Sequence, residues 1–167
     1  TLGIPDFRDK RAIPMDTIFV DLDCTDYPFP LEKDKPTPVN DSLDTREKLI
    51  ILGDPGSGKS TLLKYQTLIR ARFLTASKKG PVPIIIILRN YANWRTEPGR
   101  EKVSLLDYYY WHCRADLVPR LPDNFFETLL DQGRCHIFFD GYDELAAGVV
   151  KQDIRKAVEN FCIVHYP

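Results

Sequence analysis

Four short apolar runs stand out along an otherwise mixed chain, and each is bounded by residues that interrupt regular structure. Thr17-Ile18-Phe19-Val20 is β-branched and aromatic and predicts a strand. Lys48-Leu49-Ile50-Ile51-Leu52 ends at Gly53 and predicts a buried parallel strand, which reads as continuous rather than alternating apolar sequence. After Gly80-Pro81 the stretch from Val82 to Leu88 predicts the next buried strand. Cys135-His136-Ile137-Phe138-Phe139, ending at Asp140, predicts another.

Between these runs the period changes. From Lys59 to about Thr75 the residues Leu62, Leu63, Ile69 and Phe73 recur at helical spacing. Ser104 is a plausible N-cap for a helix through Tyr108, Trp111 and Ala115 that Pro119 stops. A shorter helix over Phe125 to Leu130 ends at Gly133, the usual terminal glycine. A last helix from about Lys151 carries Ile154, Val158 and Phe161 on one side. Residues 1–11 read as a loose lead-in, residues 24–46, with four prolines, as a surface connection, and the region after Leu88 through Lys102 as polar and turn-rich. Strands alternating with helices imply an α/β fold with a parallel sheet. The expected organisation is a lead-in over 1–44, with one strand and the Pro-rich connection, followed by a nucleotide-binding domain over 45–167.

That last expectation comes from the residues after the second run. Gly53-Asp54-Pro55-Gly56-Ser57-Gly58-Lys59-Ser60-Thr61 fits the P-loop pattern G-x-x-x-x-G-K-[ST]. Glycines let such a loop wrap closely, so that successive backbone N–H groups point at phosphate oxygens. The helix that follows adds its N-terminal dipole and unpaired amides. Lys59 is then placed to reach the β- and γ-phosphates, and the Ser60 hydroxyl to coordinate Mg²⁺. The pattern requires an apolar strand before it and an amphipathic helix after it, and the sequence offers both.

A second motif is Ile137-Phe138-Phe139-Asp140-Gly141-Tyr142-Asp143-Glu144. An acidic residue directly after a buried strand stands at the carboxyl edge of the sheet, where ligands bind in open α/β folds. A Walker-B aspartate holds Mg²⁺ from that position, which makes Asp140 the second candidate metal residue beside Ser60. Asp143 and Glu144 lie just beyond, near enough to orient or deprotonate an attacking water. With Lys59 they are the candidate catalytic residues.

Taken together, ILGDPGSGKSTLL and, some eighty residues later, IFFDGYDEL resemble the NACHT family of NTPases. In that family the Walker-B aspartate is followed by a small residue and, after one more position, by an acidic pair. Gly141, Asp143 and Glu144 match that pattern. The PVPIIIILRN strand and the SLLDYYYW helix are similar to the family's layout, so the likeness covers roughly residues 45–148. The resemblance implies a P-loop NTPase three-layer αβα fold with a mostly parallel sheet. It also implies a slow ATPase switch of the STAND type, with ATP preferred over GTP, in a larger signalling or defence protein that self-associates through its flanking regions. A further strand, normally following the helix after Walker B, is implied between the P-loop and Walker-B strands. This chain reaches Pro167 as that helix ends, so the expectation is a core truncated before the sensor strand. The strands at Leu49–Leu52 and Ile137–Phe139 would then face a slot about 10 Å wide, since neighbouring strands lie about 4.8 Å apart.

Other P-loop classes fit less well. No LSGGQ-like signature precedes the Walker-B strand, as an ABC ATPase would show, and neither D-x-x-G at Asp140 nor [NT]-K-x-D, the GTPase marks, occurs. An AAA+ reading would use Asp143-Glu144 as the Walker-B pair and leave Gly141 inside a strand. A small-molecule kinase does not predict the acidic pair. A non-hydrolysing structural or oligomerisation module that holds nucleotide needs the same loop and remains open.

Composition narrows the rest. Of 167 residues, 43% are hydrophobic and 28% charged, and the net charge is −1 with the basic residues scattered, so no nucleic-acid surface is expected. The longest apolar run, Pro83 to Leu88, is far below the roughly 20 residues that span a bilayer. No charged-then-apolar leader is visible at the N-terminus. Cys24, Cys113, Cys135 and Cys162 are widely spaced with no C-x-x-C pair, which predicts reduced thiols and a cytoplasmic setting rather than zinc or disulfides. His112, His136 and His165 are isolated and read as surface or core residues. Arg89, at the carboxyl end of the Val82–Leu88 strand and so at the ligand edge of the sheet, reads as a structural ion-pair residue, with a phosphate-facing role as the alternative. Tyr108, Tyr109, Tyr110 and Trp111 point in different directions on a helix, so part of that cluster is expected at the surface.

Overall fold

A computed structural model describes residues 3–5, 12–15, 19–25, 36–116 and 121–165 of a mixed α/β protein. The chain divides into two compact units, 1–65 and 66–167, with the division falling inside a continuous helix. In the first unit β1 (Gly3–Pro5) pairs antiparallel with β2 (Ala12–Pro14), and β3 (Asp23–Cys24) pairs antiparallel with β4 (Thr37–Pro38). Helix α1 (Val39–Thr45) follows directly. Its start is tied back by the Val39 N–H to the Leu22 carbonyl at 2.8 Å and by the Asn40 amide to Asp21 at 3.0 Å.

Three expectations for this unit are corrected. The stretch 24–46 is more than a connection, since β4 and α1 lie in it, while residues 26–35 fall outside the described residues. The strand expected over Lys48–Leu52 does not form: these residues have no regular structure, with Ile50 85% and Leu52 65% exposed. An apolar run becomes a strand only when a neighbour supplies ladder partners, and among the described residues no strand of this unit pairs with it. The slot expected between two strand edges is therefore not framed on that side. Of the strand expected at Thr17–Val20, Thr17 and Ile18 lie outside the described residues, and Phe19 and Val20 are not in a strand. The Phe19 ring instead stacks on Tyr65 at 3.7 Å.

Helix α2 (Lys59–Ser77) forms over the expected stretch, although of the expected apolar positions Leu62 is buried and Phe73 is 65% exposed, and it ends where Lys78 (φ 57°) and Gly80 (φ 116°) turn left-handed. In the second unit β5 (Val82–Ile87) pairs in parallel with β6 (Cys135–Asp140), in register from Val82↔Cys135 to Ile87↔Asp140. Among the described residues this sheet has these two strands. The stretch after Leu88, expected to be turn-rich, instead opens with helix α3 (Leu88–Arg95), whose Leu88, Tyr91, Ala92 and Trp94 are buried. Those residues bury one face of the helix against the core, and that burial outweighs a polar-looking sequence.

Helix α4 (Leu105–Asp116) starts as expected at Ser104. The Ser104 hydroxyl lies 2.6 Å from the Asp107 carboxylate, and the Asp107 and Ser104 amides donate to the opposite side chain at 3.1 and 3.2 Å. That reciprocal cap satisfies amides the helix leaves unpaired. Helix α5 (Phe125–Asp131) ends at Gly133 (φ 63°), where the Gly133 and Arg134 amides donate to the Leu130 and Leu129 carbonyls, the Schellman arrangement. Helix α6 (Val149–His165) closes the described fold.

The main hydrophobic cluster lies in the second unit and joins Ile84 and Ile86 of β5 to residues of α3, α4, α5 and α6, while Met15, Val39 and Leu62 are buried in the first. Alternation along β6 sends Cys135, Ile137 and Phe139 to one face and His136, Phe138 and Asp140 to the other. On the first face the Phe139 ring meets Phe161 of α6 edge-on at 5.8 Å. On the second, Arg70 of α2 lies 5.9 Å from the Phe138 ring and donates to His136 Nδ1 at 3.1 Å. Helices thus cover both faces of β6.

Candidate functional site

The candidate residues fall into two clusters, the loop 53–61 in the first unit and the acidic turn 140–144 in the second. The loop is built from a β-turn and a helix start. Asp54-Pro55-Gly56-Ser57 closes with the Ser57 amide donating to the Asp54 carbonyl at 3.1 Å. Proline supplies the fixed φ that the second turn position needs, and Gly56 at φ 82° supplies the left-handed third position of a type II turn. Gly58, at φ 90°, redirects the chain, and its carbonyl accepts the first helical bond from the Leu62 amide at 2.8 Å. The amides of Lys59, Ser60 and Thr61 precede that first rung. At Gly53 a Cβ would lie 2.8 Å from the Ser57 Oγ, so any larger residue there would have to displace the Ser57 hydroxyl.

Lys59 bridges the two ends of the loop. Its ammonium donates to the Gly53 carbonyl at 2.7 Å and to the Asp54 carbonyl at 3.0 Å. The residues from Gly53 to Ser57 and Thr61 are exposed, while Gly58, Lys59 and Ser60 are partly covered. A cation held over a turn of exposed backbone, at the mouth of a nineteen-residue helix, is an arrangement that favours an anion.

In the second cluster Asp140 is the last residue of β6 and only 8% exposed. Gly141 is buried and left-handed at φ 77°, which turns the chain sharply away from the strand. The next residues form a turn in which the Leu145 amide donates to the Tyr142 carbonyl at 3.3 Å. Leu145 is buried, while Tyr142, Asp143 and Glu144 are exposed. The turn brings Glu144 back, so that its Oε2 lies 3.6 Å from where a Gly141 Cβ would stand. The same oxygen pairs with Arg89 Nη1 at 2.8 Å. The ion pair expected of Arg89 is therefore present, and its partner is one of the candidate catalytic carboxylates. Lys151 lies 4.9 Å from the Tyr142 ring on the other side of the turn.

The remaining candidates take structural places. His136 accepts from Arg70, His112 stacks on Tyr108 at 6.0 Å, and His165 lies 4.9 Å from Phe161. All four cysteines are free thiols, two of them buried. Burial raises the Cys135 thiol from 9.0 to about 11. Of the aromatic run, Tyr108 is buried, Tyr109 and Tyr110 are half-buried and Trp111 is 43% exposed, as four consecutive helical positions require. Burial, then the hydrogen bond to Glu127, pushes the Tyr110 phenol up to about 12. An open cleft beside α4, lined by Asp107, Tyr110, Trp111, Arg114 and Glu127, contains none of the candidate residues. Sequence reasoning passed over Gln66 and Arg70, which pair on one face of α2, Gln66 being 1% exposed; their spacing of four on a helix is the signal that was available.

Among the described residues no group of three or more His, Cys, Asp or Glu side chains gathers to hold a metal ion. Comparison with family models, with curated proteins and with solved structures finds no match for this chain.

Proposed function

We propose that this chain is the nucleotide-binding part of a P-loop NTPase, a slow Mg²⁺-dependent ATPase that works as a switch, of the NACHT type its motifs resemble. The observation that carries the reading is the loop from Gly53 to Thr61, in which a type II turn, two left-handed glycines and the Lys59 ammonium converge at the start of a long helix. Phosphate oxygens are the anion such a loop suits, because they accept from successive amides and from the lysine together. The fold reading that goes with it is a three-layer αβα core, supported by helices on both faces of β6 and by the parallel register of β5 and β6.

In this reading Ser60 and Asp140 hold the magnesium ion. A hydroxyl and a carboxylate are hard oxygen donors, and Mg²⁺ takes few protein ligands because it keeps waters and phosphate oxygens around it. The ion would neutralise charge on the terminal phosphates. Asp143 and Glu144 position the attacking water. The proposed setting is cytoplasmic, within a larger protein that self-associates through flanking regions. No helix among the described residues is long and apolar enough to cross a membrane.

The test is equilibrium binding of ATP and GTP with and without Mg²⁺, followed by single-turnover hydrolysis. Mg²⁺-dependent binding with slow release of phosphate supports the reading. Tight binding without any hydrolysis supports the structural module instead, and no nucleotide binding overturns both.

A further inference from the structure

We propose that Arg89 is the positioning residue for Glu144, holding its carboxylate oriented at the carboxyl end of the β5–β6 ladder. The inference rests on the NTPase reading and names a part that the sequence motifs do not contain. Ile87 and Asp140 share the last rung of the ladder, so α3 and the acidic turn leave the sheet at the same end. Gly141 at φ 77° reverses the chain there, and Glu144 folds back over the end of its own strand. Arg89 Nη1 then meets Glu144 Oε2 at 2.8 Å.

The backbone on both sides of this pair is anchored. Arg89 follows buried Leu88 and precedes Tyr91 and Ala92, also buried, so its helix is seated in the core. Glu144 precedes buried Leu145, whose carbonyl accepts from Lys151 at 3.5 Å. What remains loose is the glutamate side chain itself, and the guanidinium removes that freedom. Both side chains are about half exposed, at 58% and 45%, and an ion pair between such groups contributes little to stability. Its consequence is orientation. Arg89 takes Oε2, leaving Oε1 to accept from a water. Arginine suits this better than lysine only where its fork geometry is used, so the charge and the shape are separable by substitution.

The experiment uses the full chain with Mg-ATP and compares Arg89→Ala, Arg89→Lys, Glu144→Gln and the double variant Arg89→Ala/Glu144→Gln. Circular dichroism and thermal melting check that each is folded. Arg89→Ala is expected to slow single-turnover hydrolysis by about tenfold while nucleotide Kd stays within about twofold, because a group acting through another changes turnover rather than binding. Arg89→Lys is expected to restore most of the rate. In the Glu144→Gln background the loss of Arg89 is expected to change nothing further, since its target is already gone. An unchanged or faster rate for Arg89→Ala overturns the proposal, as does a loss of affinity as large as the loss of rate. An equal additional loss in the Glu144→Gln background also overturns it. A wild-type chain that neither binds nor hydrolyses nucleotide overturns the NTPase reading itself, whereas normal wild-type hydrolysis with an indifferent Arg89 overturns this proposal alone.

Discussion

Asp140 stands opposite Ile87 on the last rung of the parallel ladder, buried at the strand's carboxyl end, where the next residue turns left-handed. A carboxylate in that place is held by strand geometry, whereas Asp143 and Glu144 belong to an exposed turn. The difference separates their expected effects. Asp140→Asn should weaken nucleotide binding in the presence of Mg²⁺ and leave the metal-free affinity nearly unchanged. Glu144→Gln should leave binding nearly intact and reduce turnover, because a water-positioning group acts mostly in the transition state. Should Asp143→Asn alone abolish turnover while Glu144→Gln does not, the roles within the acidic pair are reversed.

Lys59 is the side-chain cation that closes the loop, donating to Gly53 and Asp54 carbonyls at 2.7 and 3.0 Å. Lys59→Ala removes the loop's side-chain cation and leaves it only backbone dipoles to hold phosphate charge beside the metal ion. Nucleotide affinity is expected to fall by about tenfold or more, about 1.4 kcal/mol per decade. Calorimetric titration of the folded variant measures this, and an unchanged Kd removes the phosphate-binding assignment.

Gly141 is required by conformation rather than by space. Its φ is 77°, and a Cβ there would meet Glu144 atoms only at ordinary contact distances of 3.6 and 3.7 Å. Gly141→Ala should therefore cost about 1–2 kcal/mol through the left-handed backbone alone. Urea unfolding gives the number, and a neutral result would show that the turn adopts another conformation in solution.

Ser104 and Asp107 cap α4 reciprocally. Ser104→Ala removes one half of that exchange and should destabilise the chain by about 1 kcal/mol. The same denaturation experiment checks it, with Ser104→Asp, a residue able to make the same cap, expected to recover most of the loss.

Cys135 provides a pH-dependent readout of the core. Burial raises its thiol from 9.0 to about 11, so the folded state favours the neutral form. Below pH 9.0 that preference contributes its full stabilisation, and it is lost as pH rises from there toward about 11, because the unfolded thiol releases its proton first. Thermal midpoints under reducing conditions should fall across that window, and Cys135→Ala should flatten the fall. Some slope should persist above pH 10.0 in the variant, since Tyr110 is shifted in the same sense from 10.0 to about 12. Identical slopes in the two proteins would remove the thiol from the account.

How far the site was legible follows from how local each feature is. The loop at Gly53–Thr61, the cap at Ser104, the Schellman ending at Gly133 and the turn at Gly141 are each formed by residues within a few positions of one another. Their hydrogen bonds run between near neighbours, so a motif carries nearly all the information the geometry needs. The acidic pair was legible as chemistry but not as arrangement. Nothing in IFFDGYDEL tells that Glu144 will pair with Arg89, because that contact depends on β5 and β6 lying side by side.

By itself the sequence determined the turns at Gly56, Gly133 and Gly141, where α2, α4 and α5 lie, and which residues carry charge beside which strands. Tertiary structure decided which apolar runs became strands and which polar stretch became a helix. Lys48–Leu52 is as apolar as Val82–Ile87, yet the second is paired with β6 and the first is open, with Ile50 85% exposed. Leu88–Arg95 looked like a loop and became α3 because Leu88, Tyr91, Ala92 and Trp94 found a core to enter. The physical reason is common to both: a helix closes its own hydrogen bonds but needs a surface for its apolar face, and a strand takes its bonds from a neighbour whose position the rest of the chain must first supply.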